Sequence, residues 1–221
     1  EIPLCDWSSD VCSSDLMYVT LEPCSHQGRT PPCVDQVMVS GIKRVVIAMI
    51  DPNPKVKGRS VKKMRWSGIE VETGCLKEDA MALNRPFCKW IRTGLPFVTA
   101  KIAQTLDGKT ASFSGHSQWI TSSAARRYTH HLRNDYDAIL VGIHTVLSDD
   151  PELNPAGQKP HWTKIVLDSR LCVPLNAALF KRFKTMIATT TKAPAQKIRR
   201  LEKQGVEVVV CPLKNNQVDL M

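Results

Sequence analysis

The alternation of short, strongly apolar β-type runs with helical segments most constrains the fold of this chain. The run at 44–50 (RVVIAMI) is apolar at almost every position, which is typical of a strand buried on both faces of a sheet. A helical segment at about 31–40 precedes it, and others follow near 60–66 and 77–92. Strands that alternate with helices predict an α/β fold with a mainly parallel sheet.

The same alternation continues in the second half of the chain. We expect a strand at 97–103 and a helix that Thr121 or Ser122 caps and that runs to about Asn134. Further strands are predicted at 138–141, 164–167, 185–189 and 206–210. Thr93-Gly94-Leu95-Pro96 is the predicted boundary because Gly and Pro interrupt both kinds of element. The sequence therefore predicts domains at 17–93 and 94–221, the second of them truncated at its C-terminal end.

The first 16 residues differ in kind from the rest of the chain. Residues 6–16 (DWSSDVCSSDL) have no hydrophobic period and repeat Ser-Ser-Asp. They also match one reading frame of a widely used sequencing adapter. We therefore treat 1–16 as an artefactual or disordered leader and give Cys5 and Cys12 no functional weight.

Charge and cysteine content narrow the function. The net charge is +9, but the basic residues are scattered and no aromatic residues alternate with them. This distribution favours phosphorylated small molecules over nucleic acid. No apolar run reaches the length of about 18 residues that a membrane span needs. Eight irregularly spaced cysteines indicate a reduced, cytoplasmic protein with a metal site rather than a disulfide framework.

Two cysteines lie nine positions apart in the segment TLEPCSHQGRTPPC. On spacing alone, Cys24 and Cys33 fit a zinc site and two unrelated buried cysteines equally well. Cys24 follows a predicted strand, and Cys33 follows Pro31-Pro32 at a predicted helix start, where a thiolate is favoured. That arrangement favours zinc, which nucleobase deaminases hold with a Pro-Cys…Cys pattern.

TLEPCSHQGRTPPC resembles the zinc loop of the bifunctional riboflavin-biosynthesis family, diaminohydroxyphosphoribosylaminopyrimidine deaminase and 5-amino-6-(5-phosphoribosylamino)uracil reductase. DPNPKVKGRS resembles the next segment of the same family. The resemblance implies a partial cytidine-deaminase-like domain. It implies that Cys24 and Cys33 are zinc ligands, and that His26 and Arg29 meet the substrate.

The chain also departs from this pattern. The family's first zinc ligand and its catalytic glutamate lie in an upstream His-Ala-Glu motif, which this sequence lacks. A catalytic zinc needs three protein ligands and one open position. We therefore expect the third ligand to be missing and this chain to have no deaminase activity.

Three segments resemble the family's reductase domain: PFVTAKIAQTLDGKTASFSGHSQWITS, HLRNDYDAILVGIHTVLSDDPELN and KIVLDSRLCVP. That resemblance implies a partial dihydrofolate-reductase-like fold. The sequence lacks the G-x-G-x-x-G fingerprint, so a Rossmann fold is not indicated. The resemblance implies an NADPH site lined by Ala103, Trp119, Thr145, Asp149 and Ser169. It also implies substrate contacts from Ser117, Arg133 and Leu153, with Lys101 as the candidate catalytic residue near the reacting sugar.

Two departures affect this half as well. Asn154-Pro155-Ala156 stands where the family usually has Thr-x-Arg, so one substrate arginine is absent. The family's Gly-rich turn for the cofactor pyrophosphate would lie beyond Met221, and we expect weak or absent NADPH binding.

The implied partner is a phosphoribosylated pyrimidine, which is deaminated and then reduced at its ribosyl group. Alternative functions are a nucleoside or nucleic-acid zinc deaminase, a non-catalytic zinc-binding module and a stand-alone reductase. Whether the protein forms a homo-oligomer stays open.

Overall fold

The structure is a computed structural model that describes residues 16–157, 159 and 161–219. The chain divides into two compact units, Glu1–Lys101 and Ile102–Met221. The predicted leader at 1–16 lies outside the described residues, apart from Leu16. The assignment of 17–93 to a deaminase part and of 94–221 to a reductase part stays a prediction.

The first unit is built on a parallel sheet of three strands in the order β1-β2-β3. The strands are β1 (Leu16–Leu21), β2 (Arg44–Met49) and β3 (Glu70–Thr73). The helices are α1 (Cys33–Val39), α2 (Arg59–Trp66), α3 (Lys77–Leu83) and α4 (Arg85–Thr93). Val45 and Ile47 of the central strand are fully buried and pack with Val34 and Met64 of the helices. The continuous apolar run of β2 is therefore explained by its central position.

The predicted helix at 77–92 is wrong as a single element. The structure has two helices that meet at Asn84, which ends α3 and precedes α4. Pro86 is the second residue of α4. A proline there has no N–H to donate to the preceding turn, so a continuous helix would lose a hydrogen bond and clash at this point.

The second unit holds a parallel sheet of four strands in the order β4-β5-β6-β7. The strands are β4 (Ala138–Gly142), β5 (Thr163–Leu167), β6 (Lys184–Thr189) and β7 (Glu207–Val210). The helices are α5 (Ser123–Leu132), α6 (Ile143–Asp149) and α7 (Ala195–Lys203), with short 3-10 helices at Arg133–Asp135 and Ala178–Phe180. A small antiparallel hairpin follows, of β8 (Leu213–Lys214) and β9 (Gln217–Val218). The predicted α/β fold with parallel sheets is confirmed.

The predicted strand at 97–103 is wrong. The structure has no helix or strand between the end of α4 and the start of α5. Val98 and Ile102 are 74% and 67% exposed. A β-branched run becomes a strand only where a neighbouring strand pairs with it, and this segment belongs to none of the three described sheets.

The predicted start of α5 is confirmed. Ser122 precedes the helix with extended backbone, and its Oγ accepts a hydrogen bond from the N–H of Ala125. This cap satisfies one of the free N–H groups of the first turn. In the part of the chain that the structure describes, no helix has the length and apolar character to cross a membrane.

Candidate functional site

The structure brings the two predicted metal ligands together. Cys24 lies three residues after β1, and Cys33 is the first residue of α1. The backbone N–H of Cys33 donates to the Sγ of Cys24 at 3.2 Å. The N–H of Val34 donates to the carbonyl of Cys24 at 3.1 Å. The loop between the cysteines therefore closes on the start of α1.

A buried carboxylate fixes this cysteine loop to the next motif of the chain. Glu22 is 2% exposed, and its Oε2 accepts hydrogen bonds from the N–H groups of Asp51 and Gly58 at 3.2 and 2.8 Å. Its Oε1 accepts from the N–H groups of Ser60 and Val61 at 3.1 and 3.4 Å. Glu22 thus joins the end of β1 to the start of α2.

A second bond reinforces this connection. The Oγ of Ser60 donates to the carbonyl of Pro23 at 2.5 Å. Sequence reasoning missed Glu22, although a charged residue at the end of an apolar strand is itself a signal. A buried carboxylate needs partners that satisfy its charge.

The cysteine pair does not by itself make a catalytic zinc site. Among residues 16–157, 159 and 161–219 no three His, Cys, Asp or Glu side chains form a group that could hold a metal ion. Burial, together with the hydrogen bond and charge of Cys24, raises the pKa of the Cys33 thiol, which favours the protonated form. His26 has a buried Nδ1 for which the described residues supply no partner, and Arg29 is exposed. Two thiols fall short of the three protein ligands that catalysis requires.

In the second unit, unpaired polar atoms gather where the strands end. Asp168 follows β5 and Thr189 ends β6, and both are fully buried. The register pairs Leu167 with Ala188, so the next residues, Asp168 and Thr189, lie side by side. Their Oδ1 and Oγ1 atoms have no hydrogen-bond partner within the described part of the chain. Open α/β sheets bind ligands at this carboxyl edge.

Ser169 is held firmly at the same edge. Thr190 donates its hydroxyl to the carbonyl of Ser169 at 2.6 Å, and the Oγ of Ser169 accepts from the N–H of Val218 in β9 at 3.1 Å. The Oδ2 of Asp168 accepts from the N–H of Val173 at 2.8 Å and closes the turn around Ser169. The backbone on both sides of this candidate cofactor residue is therefore fixed.

The other cofactor candidates divide into two groups. Thr145 and Asp149 are exposed on α6, one turn apart, and α6 begins directly after β4 at the carboxyl edge of the sheet. Ala103 and Trp119 lie in the segment without regular structure, where Ala103 is half-buried and Trp119 is 70% exposed. Thr145, Asp149 and Ser169 thus follow strands of one sheet, while Ala103 and Trp119 belong to no helix or strand.

Two of the substrate candidates come together. The Nη1 of Arg133 donates to the carbonyl of Asn154 at 2.8 Å, and burial lowers the pKa of this guanidinium. Leu153 is buried in a left-handed conformation (φ 55°), and its carbonyl accepts from the Nε1 of Trp162 at 2.9 Å. Arg133 therefore lies against the 153–154 segment.

The remaining two candidates lie outside regular structure. Ser117 is exposed in the segment before α5. Lys101 is exposed and is the last residue of the first unit. Their assigned roles, as substrate contact and catalytic residue, stay predictions.

Two parallel sheets flanked by helices, with polar side chains where strands of the second sheet end, define an α/β protein. The sequence matches the RibD C-terminal domain over residues 96–221, and the chain belongs to this family. The resemblance to the bifunctional riboflavin-biosynthesis enzymes is thereby confirmed.

Individual relatives agree with this assignment. The chain is 46% identical to riboflavin biosynthesis protein RibD of Aquifex aeolicus over 198 residues, which cover 88% of this chain and 55% of that protein. It is similar in structure to the diaminohydroxyphosphoribosylaminopyrimidine deaminase/5-amino-6-(5-phosphoribosylamino)uracil reductase of Thermotoga maritima, with a TM-score of 0.72, 36% identity and coverage of 87% and 60% of the two chains. RibD of Acinetobacter baumannii gives a TM-score of 0.73, 38% identity and coverage of 89% and 56%. The chain thus spans little more than half the length of the relatives it matches.

Proposed function

We propose that this chain is part of a bifunctional enzyme of riboflavin biosynthesis. Such an enzyme hydrolytically deaminates a phosphoribosylamino-pyrimidine and then reduces its ribosyl group to a ribityl group with NADPH. The proposal includes a partial cytidine-deaminase-like domain and a partial dihydrofolate-reductase-like domain. Its main support is the family match over 96–221, combined with two buried atoms at the carboxyl edge of the second sheet, Asp168 Oδ1 and Thr189 Oγ1, for which the described residues supply no hydrogen-bond partner.

The second unit fits an NADPH site. When bound, NADPH supplies the hydride that converts a ribosyl to a ribityl group. Thr145, Asp149 and Ser169 offer hydroxyl and carboxylate groups for its ribose and amide edges, and the exposed ring of Trp119 offers a stacking surface. In this proposal Arg133 binds the substrate phosphate, because its half-buried guanidinium has a carbonyl but no carboxylate as its partner among the described contacts.

The described residues of the first unit do not fit a complete zinc site, so we derive no deamination step from them. We expect the purified 221-residue chain, supplied with zinc and the pyrimidine substrate, to release no ammonia above background. The physical reason is that Cys24 and Cys33 leave zinc one protein ligand short and without a glutamate to move the proton. Ammonia release in a coupled assay that is lost in a Cys24→Ser variant would contradict this expectation.

We expect NADPH to bind the second unit weakly, with a dissociation constant above about 100 µM. The candidate cofactor residues Trp119, Thr145 and Asp149 are all exposed, and contacts that stay close to solvent bury little of the ligand. Saturation-transfer NMR at millimolar NADPH measures this directly. Signals from the nicotinamide protons should appear in the unmodified chain and disappear in Trp119→Leu.

A matched control is Trp66→Leu, which removes another exposed tryptophan, from the first unit (85% exposed), and should leave the signals intact. Submicromolar affinity by calorimetry would contradict the expected weakness. Equal loss of signal in both variants would contradict the proposed site.

A further inference from the structure

A cation covers one face of the exposed Trp119 ring. The guanidinium carbon of Arg126 lies 4.1 Å from the centroid of the indole, well inside the cation–π range of about 6 Å. Trp119 nevertheless stays 70% exposed, so the opposite face of the ring is open. The indole therefore presents one free aromatic face to solvent.

Two hydrogen bonds, one from its side chain and one from its backbone, hold Arg126 in place. Its Nη1 donates to the carbonyl of Thr121 at 2.5 Å, and its backbone N–H donates to the carbonyl of Ser122 at 3.0 Å. Ser122 caps α5, so Arg126 lies in the first turn of a capped helix. The guanidinium thus ties the irregular segment that holds Trp119 to a regular element.

We propose that Arg126 is a positioning residue that holds the Trp119 indole so that its free face can stack against a flat ring. This inference rests on the proposed function, in which that ring is the nicotinamide of NADPH. The geometry favours arginine over lysine, because a planar guanidinium can stack on the indole and hydrogen-bond to Thr121 at the same time. An exposed indole without such support would sample several rotamers and lose entropy on binding.

The dissociation constants of two ligands distinguish a positioning role of Arg126 from a structural one. NADPH contains the nicotinamide ring, whereas adenosine 2′,5′-bisphosphate lacks it. In Arg126→Met we expect the dissociation constant for NADPH to rise about three- to five-fold, with that for the bisphosphate unchanged. Arg126→Lys should show a smaller rise, and Arg127→Met, the exposed neighbour, none. A variant that simply loosened α5 would weaken both ligands together, and that result would overturn the proposal.

A spectroscopic measurement tests the ring contact without any ligand. With 5-fluorotryptophan incorporated, the Trp119 ¹⁹F resonance is assigned by its absence in Trp119→Phe. It should shift in Arg126→Met and stay in place in Arg127→Met; an unshifted resonance in Arg126→Met would overturn the positioning role. If the resonance shifts but the unmodified chain shows no nicotinamide contact, the positioning of Trp119 stands and the proposed cofactor site fails.

Discussion

Glu22→Gln should lower the free energy of unfolding of the first unit by about 3–5 kcal/mol, because hydrogen bonds to a buried charge are strong and unpaired buried donors are costly. The carboxylate accepts from four backbone N–H groups, two on each oxygen. Glutamine keeps the size of the side chain, but it turns one of these oxygens into an NH₂ group that faces two N–H donors. The start of α2 and the cysteine loop then lose their common anchor.

Urea unfolding followed by circular dichroism measures the loss. Hydrogen exchange at the amides of Asp51, Gly58, Ser60 and Val61 localises it, since these amides should lose protection first. Glu70→Gln is the matched control: Glu70 is exposed and pairs with Arg44 at 3.5 Å, and such a pair contributes at most about 1 kcal/mol. Equal losses in the two variants would show that Glu22 does not anchor the loop.

Lys164→Met should destabilise the second unit by about 2–4 kcal/mol at pH 7, because it leaves buried carbonyl groups without a charged donor. Lys164 lies on β5 and is fully buried. Its Nζ donates to the carbonyls of Leu179 and Lys181, each at 2.8 Å. The side chain therefore fastens the 3-10 helix at Ala178–Phe180 to the sheet.

This lysine also makes stability depend on pH in a defined direction. Burial lowers the pKa of Lys164 from 10.5 to about 8, with Glu152 opposing and Arg182 adding to the shift. Between about pH 8 and 10.5 the unfolded chain keeps the proton while the folded chain releases it. The cost of the buried charge is fully present below pH 8 and is relieved as the pH rises.

The free-energy difference between the unmodified chain and Lys164→Met should consequently widen by about 2 kcal/mol from pH 7.5 to 10. Chemical unfolding at several pH values measures it. Lys184→Met is the control, since Lys184 lies on the neighbouring strand but is exposed and pairs with Glu207 at 2.8 Å. A constant difference across this pH range would show that Lys164 has no lowered pKa.

The elements that were predicted correctly are those whose formation depends on residues adjacent in sequence. The apolar run of β2 and the cap of α5 at Ser122 could both be read from adjacent residues, because burial on both faces and N-capping leave a local pattern. The absence of a strand at 97–103 could not be read from adjacent residues, since a strand also depends on a partner strand that is distant in sequence.

The candidate site shows the same division. Cys24 and Cys33 lie close together because the loop between them is short, as sequence reasoning expected, and their role as zinc ligands stays a prediction. Glu22 bonds to residues 29 to 39 positions away, and Asp168 lies beside Thr189 only because β5 and β6 pair in one register. The partners in contacts of this kind cannot be read from adjacent residues.

The bonds of Glu22 have a consequence for protein engineering. The cysteine loop and the DPNPKVKGRS segment share one set of hydrogen bonds, so they behave as a single exchangeable module. A chimera that takes only one of the two from a relative would combine the Glu22 carboxylate with backbone amides that belong to a different loop. Loop grafts in this half of the molecule should therefore transfer residues 20–34 and 51–61 together.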